Sequence, residues 1–242
     1  MLDLTYHISY AFQTLNTPGP ANGWSFDNNM LLTTNDYITY FGYVYIQQEF
    51  KLAAGSWEVN WGMGGTEGTL GVGGANIKVP SDGLYYVVAN LNELTYSLTK
   101  IETIGLIGGF NGWGGQANLT PSADYKTWTG DVTFTEETEW KFRMNDNWDY
   151  NLGGAIDNLV GGGDNLKSAA GSYTVTLDLG KLPYSCTLTS KYFIPSKGAR
   201  PYVWPRPIFM DFYPSGLKLF NIYQAVNLKN CRIFAPLMIT CT

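Results

Sequence analysis

Trp113, Arg143, Asn145, Asn147 and Trp148 are the residues of this chain whose types and spacing could do chemistry together. Gly108-Gly109-Phe110-Asn111-Gly112-Trp113 opens the stretch that holds them, and the run from Trp140 to Gly153 closes it. Flat indole rings beside amides and one guanidinium suit a sugar. The C–H face of a pyranose stacks on indole, while its hydroxyls need fixed donors and acceptors. That task is binding, and it requires no acid–base pair. Trp148, flanked by Asn147 and Asp149, reads as exposed in a polar loop. Trp113, following Asn-Gly, reads either as part of an aromatic platform or as a turn residue folding back on the core. Arg143 follows Phe142 on a strand and reads either as partner of an acid on the wet face or as a planar donor held beside two rings. Trp128 and Trp140, on strands of alternating pattern, read as core.

Other chemistries fit these residues less well. Asp146 and Asp149 are the one carboxylate pair that could act across a glycosidic bond, which would require two tuned acids facing a cleft. Asp149-x-Asn151-x-Gly153 lacks the bidentate glutamate and the spacing of a calcium loop. His7 is the only histidine and has no cysteine or histidine at ligand spacing, so zinc is not expected. Gly71-Val72-Gly73-Gly74 is followed by no G-K-[ST], which argues against a phosphate cradle. A formal net charge of −5 argues against nucleic acid. Cys186 reads as a lone core thiol, since neither of the two repeats described below holds a cysteine pair. No catalytic residue, metal or cofactor is expected.

The elements that must position these residues occur twice. Asn22-Gly23-Trp24 precedes Asn111-Gly112-Trp113 by 89 positions, and Phe50-Lys51-Leu52 precedes Trp140-Lys141-Phe142 by 90. Trp57 and Asn60 match Trp148 and Asn151 at 91. The run 74–78 aligns with 163–167, and 83–85 with 171–173. Such self-similarity divides the chain into two copies of one domain. Glycine, threonine, tyrosine and tryptophan abound and charges are few, so the class is all-β, with two tandem small immunoglobulin-like β-sandwiches. The boundaries fall at 1–19 (N-terminal segment), 20–100 (a divergent first sandwich), 101–192 (the second sandwich) and 193–242 (an irregular tail).

Period-two alternation places strands at 37–45, 49–52, 84–90 and 94–99, with Ile38, Tyr40 and Val44 inward and 62–74 as a glycine-rich loop. In the second copy it places them at 103–107, 127–134, 139–144, 171–179 and 184–189. The junction 99–103 is short enough to hold the copies in a restricted relation. The tail carries six Lys or Arg against Asp211 alone, and prolines at 195, 201, 205, 207 and 214 break any regular sheet over its first half. It reads as a segment foreign to the fold or disordered, or as a linker that touches a partner through Tyr202 and Trp204. The opening MLDLTYHISY shows no signal peptide, and the chain reads as beginning inside a longer gene product. No transmembrane span is visible.

The chain resembles the SusE/SusF family of surface glycan-binding lipoproteins of Bacteroidetes. The resemblance rests on Gly108 to Trp113, on Trp140-Lys141-Phe142-Arg143 leading into Asn145-Asp146-Asn147-Trp148-Asp149, and on Gly-Ser-Tyr-Thr-Val-Thr-Leu-Asp-Leu at 171–179. It implies non-enzymatic tandem β-sandwiches that hold α-glucan, such as starch or maltooligosaccharide, at the outer membrane beside glycan transporter components. It implies an aromatic platform of Trp113 and Trp148, with Arg143 as hydroxyl donor and Lys141 or Asn165 as helpers, beside the amides Asn145 and Asn147. In the first copy the counterparts are Trp24, Trp57 and Lys51, at a weaker site, because Ala53 stands where Arg143 is expected. The family's lipidated cysteine has no visible counterpart here. The alternatives are a protein-interaction β-sandwich without glycan binding, or a glycoside hydrolase accessory fragment.

Overall fold

The computed structural model describes residues 12–27, 30–191, 231–234 and 238–241. Its regular structure is β apart from two single-turn 3-10 helices, Pro20–Asn22 and Gly109–Asn111. No α-helix occurs among the described residues. The first copy contributes β1 (Thr14–Leu15), β2 (Leu32–Thr34), β3 (Thr39–Ile46), β4 (Glu49–Phe50) and β5 (Leu52–Ala53). It continues with β6 (Asn60–Met63), β7 (Leu70–Val72), β8 (Ile77–Lys78), β9 (Gly83–Asn90) and β10 (Thr95–Ile101). The second opens with β11 (Ile104–Gly108), β12 (Ala117–Asn118), β13 (Thr120–Pro121), β14 (Thr127–Phe134) and β15 (Thr138–Met144). It closes with β16 (Asn147–Ala155), β17 (Asn158–Gly161), β18 (Leu166–Ser168), β19 (Gly171–Asp178) and β20 (Ser185–Ser190).

Every pairing is antiparallel, which lets each strand turn an apolar face inward and a polar face outward. In the first copy a sheet of order β1-β2-β3-β9-β10 accompanies two small sheets, β5-β6-β7 and β4-β8. In the second, β12-β11-β15-β16-β17, with β18 on β15, accompanies β13-β14-β19-β20. Trp140 and Phe142 of β15 are fully buried among Trp128, Phe134, Val175 and Leu177 of the opposite sheet, with the Phe134 and Trp140 rings stacked at 6.2 Å. Tyr40, Val44, Phe50, Leu52, Trp61 and Ile77 form the corresponding core of the first copy.

The described residues through Lys191 form one compact unit. Only Glu102 and Thr103 separate β10 from β11. Tyr43 shows how the copies meet. It faces away from the core-facing set Tyr40, Val44 and Ile46 of β3, yet it is buried too, because the second copy covers it. Its backbone N–H donates to the Tyr184 hydroxyl at 2.9 Å, and its own hydroxyl donates to the Met144 sulfur at 3.6 Å. Tyr45 stacks on Tyr125 at 4.9 Å, and the hydroxyls of Thr99 and Tyr150 lie 3.0 Å apart.

Three local expectations are corrected. Ile38 is 44% exposed, because it sits in a turn before β3 begins. The stretch 62–74 is crossed by β6 and β7, and its glycines serve close packing: a Cβ at Gly74 would come within 2.9 Å of the Gly71 carbonyl oxygen. Trp148 lies within a strand, β16. Of the tail, the structure describes only a two-stranded hairpin, Cys231–Phe234 with Met238–Cys241, in a separate unit from Ile194 onward. The readings of Tyr202, Trp204 and the prolines fall outside the described residues, as do those of His7 and the opening segment.

Candidate functional site

The Asn-Gly-Trp turn places Trp113 by backbone geometry. After the 3-10 turn Gly109–Asn111, both Gly112 (φ 63°) and Trp113 (φ 57°) are left-handed. That conformation is uncommon for an aromatic residue and costs on the order of 1–3 kcal/mol. It is held by the Trp113 N–H donating to the Gly108 carbonyl at 2.9 Å and by the Gly108 N–H donating to Asn111 Oδ1 at 2.9 Å. Gly108 must be glycine, since a Cβ there would meet the Trp140 backbone within 2.8 Å.

Trp148 arrives by a different device. Asn145 and Asp146, both with positive φ, make the two-residue turn between β15 and β16. Met144 pairs with Asn147, but the next pair is Arg143 with Asn151, so residues 148–150 bulge out of the ladder. A bulge re-aims side chains. Here Trp148, 46% exposed, meets Trp113, while Tyr150 turns to Tyr86 and Thr99 of the first copy. The indole centroids of Trp113 and Trp148 are 6.2 Å apart with their planes inclined at 36°. The result is an angled pair of rings with one strongly exposed.

Arg143 supports this pair. Its Cζ lies 5.1 Å from the Trp148 ring centroid, within cation–π range, and an Nη donates to Asp146 Oδ1 at 2.6 Å. The residue is only 5% exposed. The guanidinium, expected as a hydroxyl donor, is covered by Trp148 and engaged by Asp146 and Gln116. The acid of the alternative reading is Asp146.

The amides divide by role. Asn145 is committed to the junction between the copies: its Oδ1 accepts from Glu102 N at 2.7 Å and Thr103 N at 3.2 Å, and its Nδ2 donates to the Lys100 carbonyl at 2.8 Å. Asn165 donates to Glu139 at 3.0 Å, pinning β18 to β15. Asn147 is exposed beside Trp148 and accepts from Asp149 N at 2.9 Å. Lys141 lies on the same face of β15 as Arg143, with its stem over Gly153. Asn151, unnamed as a site residue, donates to the Trp148 carbonyl at 2.7 Å and so holds the bulge, while its Oδ1 is buried without a partner among the described residues.

The first copy repeats the arrangement. Gly23 (φ 64°) and Trp24 (φ 61°) are left-handed, and Trp24 lies 6.1 Å from Trp57 at 44°. Trp57 is 45% exposed, and Asn60 donates to its carbonyl at 2.7 Å with its own Oδ1 likewise orphaned. Asn76 donates to Glu49 at 2.8 Å as Asn165 does to Glu139. Ala53 pairs with Asn60 as Arg143 pairs with Asn151, which fixes the equivalence. Instead of a guanidinium, Trp57 meets the edge of Phe26 at 5.1 Å, a contact the sequence offered no spacing signal for. Lys51 is half-buried, its N–H donating to the Pro18 carbonyl at 2.9 Å.

Comparison with known proteins adds little to this geometry. The family described as "Domain of unknown function (DUF8037)" matches residues 13–100. No curated protein matches. Among solved structures the chain is similar to SusF from Bacteroides thetaiotaomicron at 15% identity and a TM-score of 0.33, over 77% of this chain and 50% of that one. The chain thus spans half of that structure's length. No helix among the described residues is long and apolar enough to cross a membrane.

Proposed function

We propose that this chain binds α-glucan without transforming it, through the angled ring pair Trp113–Trp148. The observation that carries the reading is the duplication of that pair: two indoles 6.1–6.2 Å apart occur in both copies. Each pair is presented by a left-handed Asn-Gly-Trp turn whose conformation carries a backbone cost. A core has no need of a half-exposed tryptophan, whereas a neutral ring ligand with an apolar face does. Rings inclined to each other favour a chain whose successive sugars turn, as α-1,4-linked glucose does, over a flat one. In this reading Asn147 and Lys141 bond hydroxyls beside the rings, and Arg143 orients Trp148 through its cation–π contact.

The first copy offers a weaker site at Trp24 and Trp57, with Phe26 in place of the guanidinium. A binding role at the cell surface beside glycan transporter components is consistent with this reading. Catalysis is not part of it, since Asp146 is engaged by Arg143 and Asp149 is bonded to Asn147. Affinity electrophoresis of the whole chain in gels containing starch, pullulan, dextran or xylan tests the reading. Retardation by starch and pullulan is expected. Equal mobility in all gels would refute it.

A further inference from the structure

A cleft of about 840 Å³ lies between the two copies, and none of the four paired indoles is among its lining residues. Thr33, Asn35 and Tyr37 line one wall and Asp149, Asn151 and Asn158 the other, over Tyr86 and Tyr184. Its size falls within the range of ligand sites. The chemistry of the walls is specific: aromatic faces stand beside amides and hydroxyls. Among the described residues that line it there is no lysine, arginine or histidine, and Asp149 is their only charge. An anionic ligand would find no partner there, whereas a neutral polyhydroxylated one finds both ring faces and hydrogen-bonding groups.

The rim is shaped in advance. Tyr37 is left-handed at φ 60° and 50% exposed. Its N–H donates to Thr34 Oγ1 at 2.9 Å, and Asp36 Oδ1 accepts from the N–H groups of Ile38 at 2.8 Å and Thr39 at 2.7 Å. A large ring fixed outward in a strained turn, at the mouth of a cleft, is placed for contact with something outside the fold. Opposite it, Asn158 is exposed at the start of β17, and neither its amide nor that of Asn35 bonds another described residue. The Trp148 bulge joins this cleft to the ring pair, because Asp149 lines the cleft while Trp148 faces Trp113.

We propose that this cleft is a second binding site for a neutral oligosaccharide, distinct from the ring pairs and formed by both copies together. It rests on the reading of the chain as glycan-binding. Backbone-resolved NMR titration of the whole chain carrying Trp113→Ala and Trp148→Ala tests it, with maltoheptaose, cellohexaose and xylohexaose as probes. Apart from any at the Trp24–Trp57 pair, shifts confined to 33–37 and 158–162 are expected with at least one probe. Tyr37→Gly, which removes the ring and suits the left-handed turn, and Asn158→Ala should each weaken that response roughly tenfold. Absence of shifts in both segments at millimolar concentrations of all three probes would overturn the proposal, as would shifts that neither variant weakens. In the unaltered chain, indole shifts of Trp113 and Trp148 without cleft shifts would sink the cleft alone. Silence at the indoles with shifts in the cleft would sink the ring pair alone.

Discussion

Arg143 has Ala53 as its counterpart in the first copy, and its placement separates two roles. As a free donor it would contribute bonds to sugar. Nearly buried, 5.1 Å from the Trp148 centroid and bonded to Asp146, it contributes the ring's orientation. Arg143→Lys keeps the charge and loses the planar surface. Titration calorimetry with maltoheptaose is expected to show several-fold weaker binding for Arg143→Lys and also for Arg143→Met, which keeps most of the volume. If Lys restores full affinity and Met does not, charge donation is the role and the orienting account fails. Asp146 is largely exposed, so Asp146→Asn should cost under about 1 kcal/mol of stability. The first copy, with Ala53 at this position, is expected to hold the same glucan more weakly.

At the scale of elements, the turn Asn145–Asp146 and the bulge that follows set the site, and Asn145 ties them to the junction. Asn145→Ala removes bonds to Lys100, Glu102 and Thr103 and should destabilise the fold by about 1–3 kcal/mol. Thermal unfolding would report that loss, and calorimetry should show glucan affinity nearly unchanged. The reverse pattern, lost affinity with an unchanged melting temperature, would return Asn145 to the ligand site. This element also shows where the sequence was readable. The strand at 127–134 followed from alternation, and the internal repeat located both tryptophan pairs, whereas the Asn–Glu pins of Asn76 and Asn165 appear only in the structure. The strand β16 was hidden because Asn147, Asp149 and Asn151 are loop-forming types, held here by pairing and by a bulge that no period records. Asn145 and Asn165 looked like ligands for a related reason. Amides that brace the backbone and amides that bond sugar share one composition, and only position tells them apart.

At the scale of the molecule, we propose that the chain divides at Glu102–Thr103 into two sandwiches that share a tyrosine-rich seam. Burial pushes the Tyr43 and Tyr184 hydroxyls well above the ordinary value of 10.0, and pushes the Cys186 thiol from 9.0 up to about 12. Each group holds its proton more tightly when folded, so its contribution is intact below the ordinary values and is lost as pH rises past them. Stability from these groups should be flat between about pH 6 and 8 and fall above pH 9. A tyrosinate absorbance step should coincide with loss of the β signal in circular dichroism. Complete tyrosine ionisation in a folded chain would contradict the buried seam. The central claim, that the angled pair Trp113–Trp148 is a glycan platform, is tested most directly by calorimetric titration of Trp148→Ala with maltoheptaose. The account predicts a loss of about 1–3 kcal/mol in binding with a melting temperature close to that of the unaltered chain. Unchanged affinity, or a variant that no longer folds, would contradict it.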